Sequence, residues 1–167
     1  MKTVAILFAL MVLWAAQDER GDFNNGGAAN FVQGFLKGAF GEDYGQIEEW
    51  VTNFDNLFND IKAILGSGSN EKIDWMVLIV QIGSIAWDLI DAVKSWRNMP
   101  GKVADVFRSW VAKIKSPRDI ARVVKNATLH HLSHLIGDYK EFKNNWKSKS
   151  FYLSGVKLGD IPNTLFA

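Results

Sequence analysis

Apolar residues recur every three or four positions along most of this chain, which is the spacing of helices that bury one face. No segment shows sustained alternation of apolar and polar residues, so strands are not expected. The spacing predicts helices over 29–40, 44–65, 70–96, 102–115, 117–149 and 151–158. In the first of these, Gly34 and Gly38 are four residues apart, a spacing that lets another backbone approach closely.

One predicted helix is apolar nearly all the way round. Residues 75–87, WMVLIVQIGSIAW, carry no charge. A helix of this kind is buried on most sides, and the segment is shorter than the roughly 20 residues that span a bilayer. The expected fold is therefore all-α, a bundle of four to six amphipathic helices around this largely apolar central helix. The alternative is a segment that contacts lipid or a neighbouring subunit.

The N-terminal residues 1–16 have the pattern of a secretory signal peptide. Lys2 precedes an uncharged apolar stretch over 4–16, which suits the core of a signal peptide. The alternative is an uncleaved apolar helix that anchors or packs. Secretion would place the chain outside the cell and make the sequon at Asn126 a glycosylation site.

The rest of the chain is expected to form one domain with two flanking segments. Residues 17–30 are rich in Gly, Asn and charge and predict a flexible leader. A single helical domain is expected over 31–159. An apolar C-terminal tail over 160–167 either docks on its own core or is donated to a neighbouring copy.

Charge is distributed very unevenly along the chain. Residues 17–92 contain 13 acidic and 4 basic residues, a net of −9, and residues 93–167 contain 14 basic and 5 acidic residues, a net of +9. Such a division of charge indicates how the chain associates and does not indicate its fold. Either the halves neutralise each other inside one molecule, or the acidic half of one copy meets the basic half of the next.

The candidates for metal chemistry lie in one segment that contains His130, His131, His134 and Asp138. On one continuous helix, His131, His134 and Asp138 would fall within about 60° of one another, and such a set can hold a transition metal. Three ligands on one helix cannot all converge without help from another helix. We therefore expect no bound metal, and a polar layer of neutral imidazoles is the alternative.

Motifs for other chemistry are missing from the sequence. There is no nucleophile elbow, phosphate-binding loop or dinucleotide fingerprint. The chain has no Cys, which excludes thiol catalysis and cysteine-based zinc sites. We expect no enzymatic activity and no cofactor.

The aromatic content is high, with 7 Trp and 11 Phe. Interfaces favour aromatic side chains and oppositely charged partners, although tryptophans on apolar stripes also serve as core. The expected interface residues are Trp75, Trp87, Trp96, Trp110, Leu165 and Phe166. A basic half with tryptophans also suits anionic lipid better than nucleic acid in a secreted protein.

Two stretches, 30–43 (NFVQGFLKGAFGED) and 125–160 (KNATLHHLSHLIGDYKEFKNNWKSKSFYLSGVKLGD), resemble a loose family of short secreted helical proteins from ciliated protists. Proteins of that family follow the signal with an aromatic-Gly-Phe-Leu-Lys-Gly-like segment. Near the C-terminus they carry Lys-Asn-Leu-like, His and Tyr/Asp/Ile helix positions before a Gly-Asp. Members often contain cysteines, which this chain lacks. The resemblance implies secretion and a helical fold, and nothing catalytic.

These patterns predict a secreted, extracellular, non-enzymatic structural protein that forms a homo-oligomer. Its acidic half (17–92) and basic half (93–167) would join successive copies into a filament or surface coat. One alternative is a lipid-binding or membrane-active bundle, and another is a metal-dependent enzyme that uses His131, His134 and Asp138. Nucleic acid is not an expected partner.

Overall fold

The computed structural model describes residues 20–44, 54–66, 73–93, 101–114 and 116–166, and within these ranges the chain forms seven α-helices and no strand. The helices are α1 (Ala28–Phe40), α2 (Phe54–Gly66), α3 (Trp75–Val93), α4 (Gly101–Lys113), α5 (Pro117–His130), α6 (Leu132–Lys147) and α7 (Phe151–Phe166). A π-helical turn, Phe23–Gly27, precedes α1. The prediction of an all-α chain is confirmed.

The last helix, α7, lies at the centre of the packing. It packs along α1 and against α6, and it also contacts α4, α5 and the π-helical turn. The apolar helix α3, which the sequence suggested as the central helix, packs instead on α2, α4 and α5 and leaves one face exposed. The predicted bundle around α3 is therefore not confirmed, and Gly155 and Gly159 let α7 approach α1 closely instead.

Helices α1 and α7 run parallel and touch backbone to backbone. Gly34 lies against Tyr152 and Val156, and Gly38, one turn later, lies against Val156 and Asp160. A Cβ atom at either glycine would overlap a carbonyl oxygen of α7. Two glycines of α7 make the reciprocal contacts on the backbone of α1, and they are Gly155 and Gly159. Four glycines, two on each helix, thus set the distance between α1 and α7.

The leader predicted over 17–30 is helical and packed from residue 20 onwards, where its description begins. Phe23 is fully buried, and its ring centroid lies 5.5 Å from that of Trp146 and 5.7 Å from that of Phe151. Gly26, with a φ of 101°, makes a kink before α1. The glycines therefore form a bend between helical segments, and burial of one aromatic ring offsets the entropy of ordering the segment.

The tail predicted over 160–167 continues α7 as far as Phe166. The ring of Phe166 lies 5.9 Å from that of Trp110, and the ammonium of Lys113 donates to the Phe166 carbonyl at the helix end. Pro162 removes one helical hydrogen bond. The residues buried on this last part of α7 are Ile161, Pro162, Leu165 and Phe166. Their burial offsets the lost bond, so this segment docks on its own core.

The helix predicted over 117–149 is two helices that meet at His131, where φ is −133° and ψ is 10°. The predicted start of α5 is confirmed. Ser116 Oγ accepts a hydrogen bond from the Asp119 N–H at 3.2 Å, and Pro117 occupies the first turn. Because the chain leaves the helical path at His131, the segment before it and the segment after it present different faces.

The glycine contacts between α1 and α7, called the glycine crossing, make a Gly→Ala substitution there destabilising. The same substitution at an uncrowded helical glycine should be stabilising. Gly155→Ala should lower the free energy of unfolding by about 1–3 kcal/mol or more, because its methyl group overpacks the backbone of α1. Gly137→Ala, inside α6 and with nothing within 4 Å of its Cβ position, should raise it by about 0.5–1 kcal/mol through helix propensity. Urea denaturation measures both, and equal shifts would contradict the packing role of Gly155.

Candidate functional site

The side of α3 that faces away from the core is apolar and exposed. Met76, Val77 and Val80 are 48%, 43% and 49% exposed. These three residues form the α3 outer face. The opposite side of the helix is fully buried and consists of Leu78, Ile79, Ile82 and Ile85. The sequence predicted an uncharged helix here. Because its residues are apolar on nearly all sides, the sequence did not indicate which face would be exposed to solvent.

Local contacts determine the orientation of α3. The Asp74 carboxylate accepts hydrogen bonds from the N–H groups of Met76 and Val77, at 3.1 and 3.2 Å, and so caps the start of the helix. Further along, the side chain of Ile114 fills the space where a Cβ on Gly83 would stand. Gly83 therefore lets Ile114 approach the backbone of α3 closely. The side of α3 that faces the core is defined by the fully buried Leu78, Ile79, Ile82 and Ile85.

An open cavity of about 380 Å³ lies along this surface. Its lining, among the described residues, is Met76, Val77, Val80 and Gln81. These side chains offer apolar contact and one amide, and they include no acid, base or nucleophile. The cavity is suited to receive apolar side chains of a partner and has no group in this lining that would carry out a reaction.

A second surface lies on α5, opposite its buried residues Val123 and Ala127. Four exposed residues of this helix fall within about 60° of one another on a helical wheel. These four residues, which form the α5 stripe, are Arg118, Arg122, Lys125 and Leu129. Leu129 is 66% exposed, and Arg122 pairs with Asp119 at 3.1 Å within the helix. Asn126, the predicted glycosylation residue, is exposed on the same helix.

Three of the six interface residues predicted from the sequence are buried within the fold. Trp110, Leu165 and Phe166 are 4%, 5% and 5% exposed and belong to the core. They cannot anchor a partner while the chain is folded, because they already pack on one another's helices. Trp75 is half-buried. The side chain of Trp87 and the whole of Trp96 lie outside the described residues.

The candidate metal ligands are only partly brought together. His134 Nε2 lies 3.1 Å from Asp138 Oδ2, one turn apart on α6. His131 stands at the junction of α5 and α6, and its ring is 6.3 Å from that of His130. Within the described ranges, no group of three or more His, Asp or Glu side chains is placed to hold a metal ion. The break at His131 removes the shared helical face on which the metal hypothesis depended.

Asp138 instead belongs to an ion-pair cluster between α6 and α7. Its side chain is 4% exposed and lies 3.4 Å from the Lys157 ammonium, which also pairs with Glu141 at 3.0 Å. The hydrogen bond to Glu141 is the main cause that raises the pKa of Lys157. Asp160 is nearby, and burial, followed by the negative charge of Asp138, raises its pKa above the usual 3.8. The cluster joins two helices and is structural.

Comparison with known proteins identifies no relative. No family model matches the chain, no curated protein matches it and no solved structure matches it. Among the helices in the described ranges, none combines the length and apolar character needed to cross a membrane. Any inference about function must therefore start from the two surfaces on α3 and α5.

The raised pKa of Asp160 predicts a pH-dependent stability. The folded state binds a proton on this carboxyl more tightly than the unfolded state, so ionisation in the fold is unfavourable. That penalty is absent below the unfolded pKa of 3.8 and is complete above the raised value. Asp160→Asn should therefore raise the free energy of unfolding near neutral pH, and the gain should shrink towards about pH 4. Denaturant titrations at both pH values test this, and a pH-independent gain would contradict it.

Proposed function

We propose that this chain is a secreted, non-enzymatic protein that self-associates through the α3 outer face and assembles into a filament or surface coat. The observation that carries the proposal is the exposed, uncharged apolar surface formed by Met76, Val77 and Val80. Exposed apolar patches with a polar rim are typical of interaction sites. In this proposal the α3 outer face takes the role that the sequence suggested for Trp110, Leu165 and Phe166.

The charge distribution favours a protein partner over an anionic membrane. The α3 outer face belongs to the acidic half, with a net charge of −9, and Asp74 at its edge is exposed. An anionic lipid surface would repel such a region, whereas the basic half of another copy, with +9, would attract it. A second copy of the chain is therefore the partner that we favour.

The ion pairs of the described residues include a pair between the halves and pairs within one half. Asp22 of the acidic half pairs with Lys149 of the basic half. Other pairs, such as Arg122 with Asp119 and Lys157 with Glu141, join residues of the same half. Pairs of the second kind do nothing to neutralise one half against the other. Charges that pair only within their own half leave the net charge of that half unchanged, and this net charge supports attraction between copies.

The N-terminal residues support secretion. Residues 1–16 have the pattern of a signal peptide, with Lys2 before an apolar stretch over 4–16. The absence of Cys means that a secreted form must obtain its stability from packing or association. The glycine crossing of α1 and α7 and the aromatic rings around it supply such packing without disulfides.

A charge on the α3 outer face should block assembly. Val80→Glu places a carboxylate in the apolar contact and should shift the protein from large assemblies towards monomer, because the buried charge would be desolvated without a partner. The matched control is Leu153→Glu, which makes the same change at a residue of α7 that is 51% exposed. Light scattering over a concentration series measures both variants, and the control should assemble as the unmodified chain does.

Two outcomes would overturn the proposal. One is an unmodified chain that stays monomeric at every soluble concentration. The other is a monomer that binds vesicles of uncharged lipid and loses that binding in Val80→Glu. The second result would assign the α3 outer face to lipid, in agreement with the lipid-binding alternative.

A further inference from the structure

The α3 outer face requires a complementary surface on the molecule that covers it. A standard protein interface buries roughly 800 Å² on each partner, and three side chains of one helix supply only part of that area. If two α3 outer faces met each other, two acidic halves of net charge −9 would approach, and like charges placed together are costly. The covering surface should therefore combine apolar side chains with positive charge.

We propose that the α5 stripe of a second copy covers the α3 outer face, an inference that rests on the self-association proposed above. Arg118, Arg122 and Lys125 supply positive charge, and Leu129 follows them on the same face of α5. Among the described large apolar residues, Leu129 has the highest exposure, 66%. Three cationic side chains and one exposed leucine on the same face provide both the positive charge and the apolar contact that the covering surface requires.

The two surfaces differ in length. The α3 outer face from 76 to 80 is about 6 Å long, and the α5 stripe from 118 to 129 is about 17 Å long and can extend beyond it. Leu129 would enter the cavity of about 380 Å³ beside Met76 and Val80. The basic residues of the stripe would then lie over the acidic half of the neighbouring copy.

This pairing has a consequence for symmetry. The α3 outer face and the α5 stripe are different surfaces of one chain, so each copy can give one and receive the other. Such a contact is heterologous, and it continues into an open filament unless its rotation closes a ring. Asn126 lies about 70° around α5 from the centre of the stripe. A glycan at that residue would border the contact.

The test compares two doubly substituted chains. Lys125→Glu with Leu129→Glu places two negative charges on the α5 stripe and should raise the concentration needed for assembly by about tenfold or more. The matched control makes the same two changes at exposed residues outside both surfaces, as Lys140→Glu with Leu153→Glu. The control should assemble as the unmodified chain does. Thermal unfolding by circular dichroism confirms that each variant is folded.

A mixing experiment gives the decisive result. The α5 stripe variant retains its α3 outer face, and Val80→Glu retains its α5 stripe, so neither extends alone. Mixed together in equal amounts, they should form dimers that grow no further, because only one productive contact is left. Light scattering with sedimentation velocity measures this.

The outcomes separate the inference from the proposal on which it rests. If the α5 stripe variant assembles as the unmodified chain does while Val80→Glu does not, the pairing with α5 is wrong and self-association through α3 stands. An α5 stripe variant that stops at dimers by itself would indicate contact between two α3 outer faces, and it would also overturn the inference. If the unmodified chain is monomeric throughout, the proposed function fails as well.

Discussion

Backbone contact between α1 and α7 is the constraint on which the other packing depends. Gly34 and Gly38 of α1 face Gly155 and Gly159 of α7, and no side chain separates the two backbones. Helices this close cannot accept even a methyl group at the contact. The first and last helices of the described chain are thereby held together, and α4, α5 and α6 pack against α7.

Aromatic rings extend the contact on both sides. Trp146 and Phe151, with ring centroids 5.0 Å apart, close one side of the crossing, and Phe107 and Trp110, at 5.4 Å, close the other. Phe31 and Phe35 of α1 reach these two groups from successive turns. In a chain with no Cys, this aromatic packing stabilises the fold without disulfides.

Periodicity predicted an all-α chain because most of the described helices have one buried face, and the start of α5 at Pro117 was also predicted. It failed where tertiary contact overrides local preference. The Gly- and Asn-rich residues near Phe23 predict a flexible leader, and residues 160–167 were predicted as a tail after the last helix, yet both segments are helical where the structure describes them. The α3 outer face could be located only as part of an uncharged helix, since a uniformly apolar segment carries no signal for which side packs. The break at His131 also had no signal in residue spacing, so the His cluster was placed on one face.

The absence of Cys in the chain makes the central claim, contact between α3 of one copy and α5 of the next, open to a direct measurement. Val80→Cys with Leu129→Cys introduces two thiols, one on each proposed surface. Oxidation of the assembled double variant should give a ladder of covalent oligomers, whereas Val80→Cys alone and Leu129→Cys alone should stay uncrosslinked and form a mixed dimer only when combined. Disulfide-linked dimers of Val80→Cys alone, or no ladder from the double variant, would contradict the account.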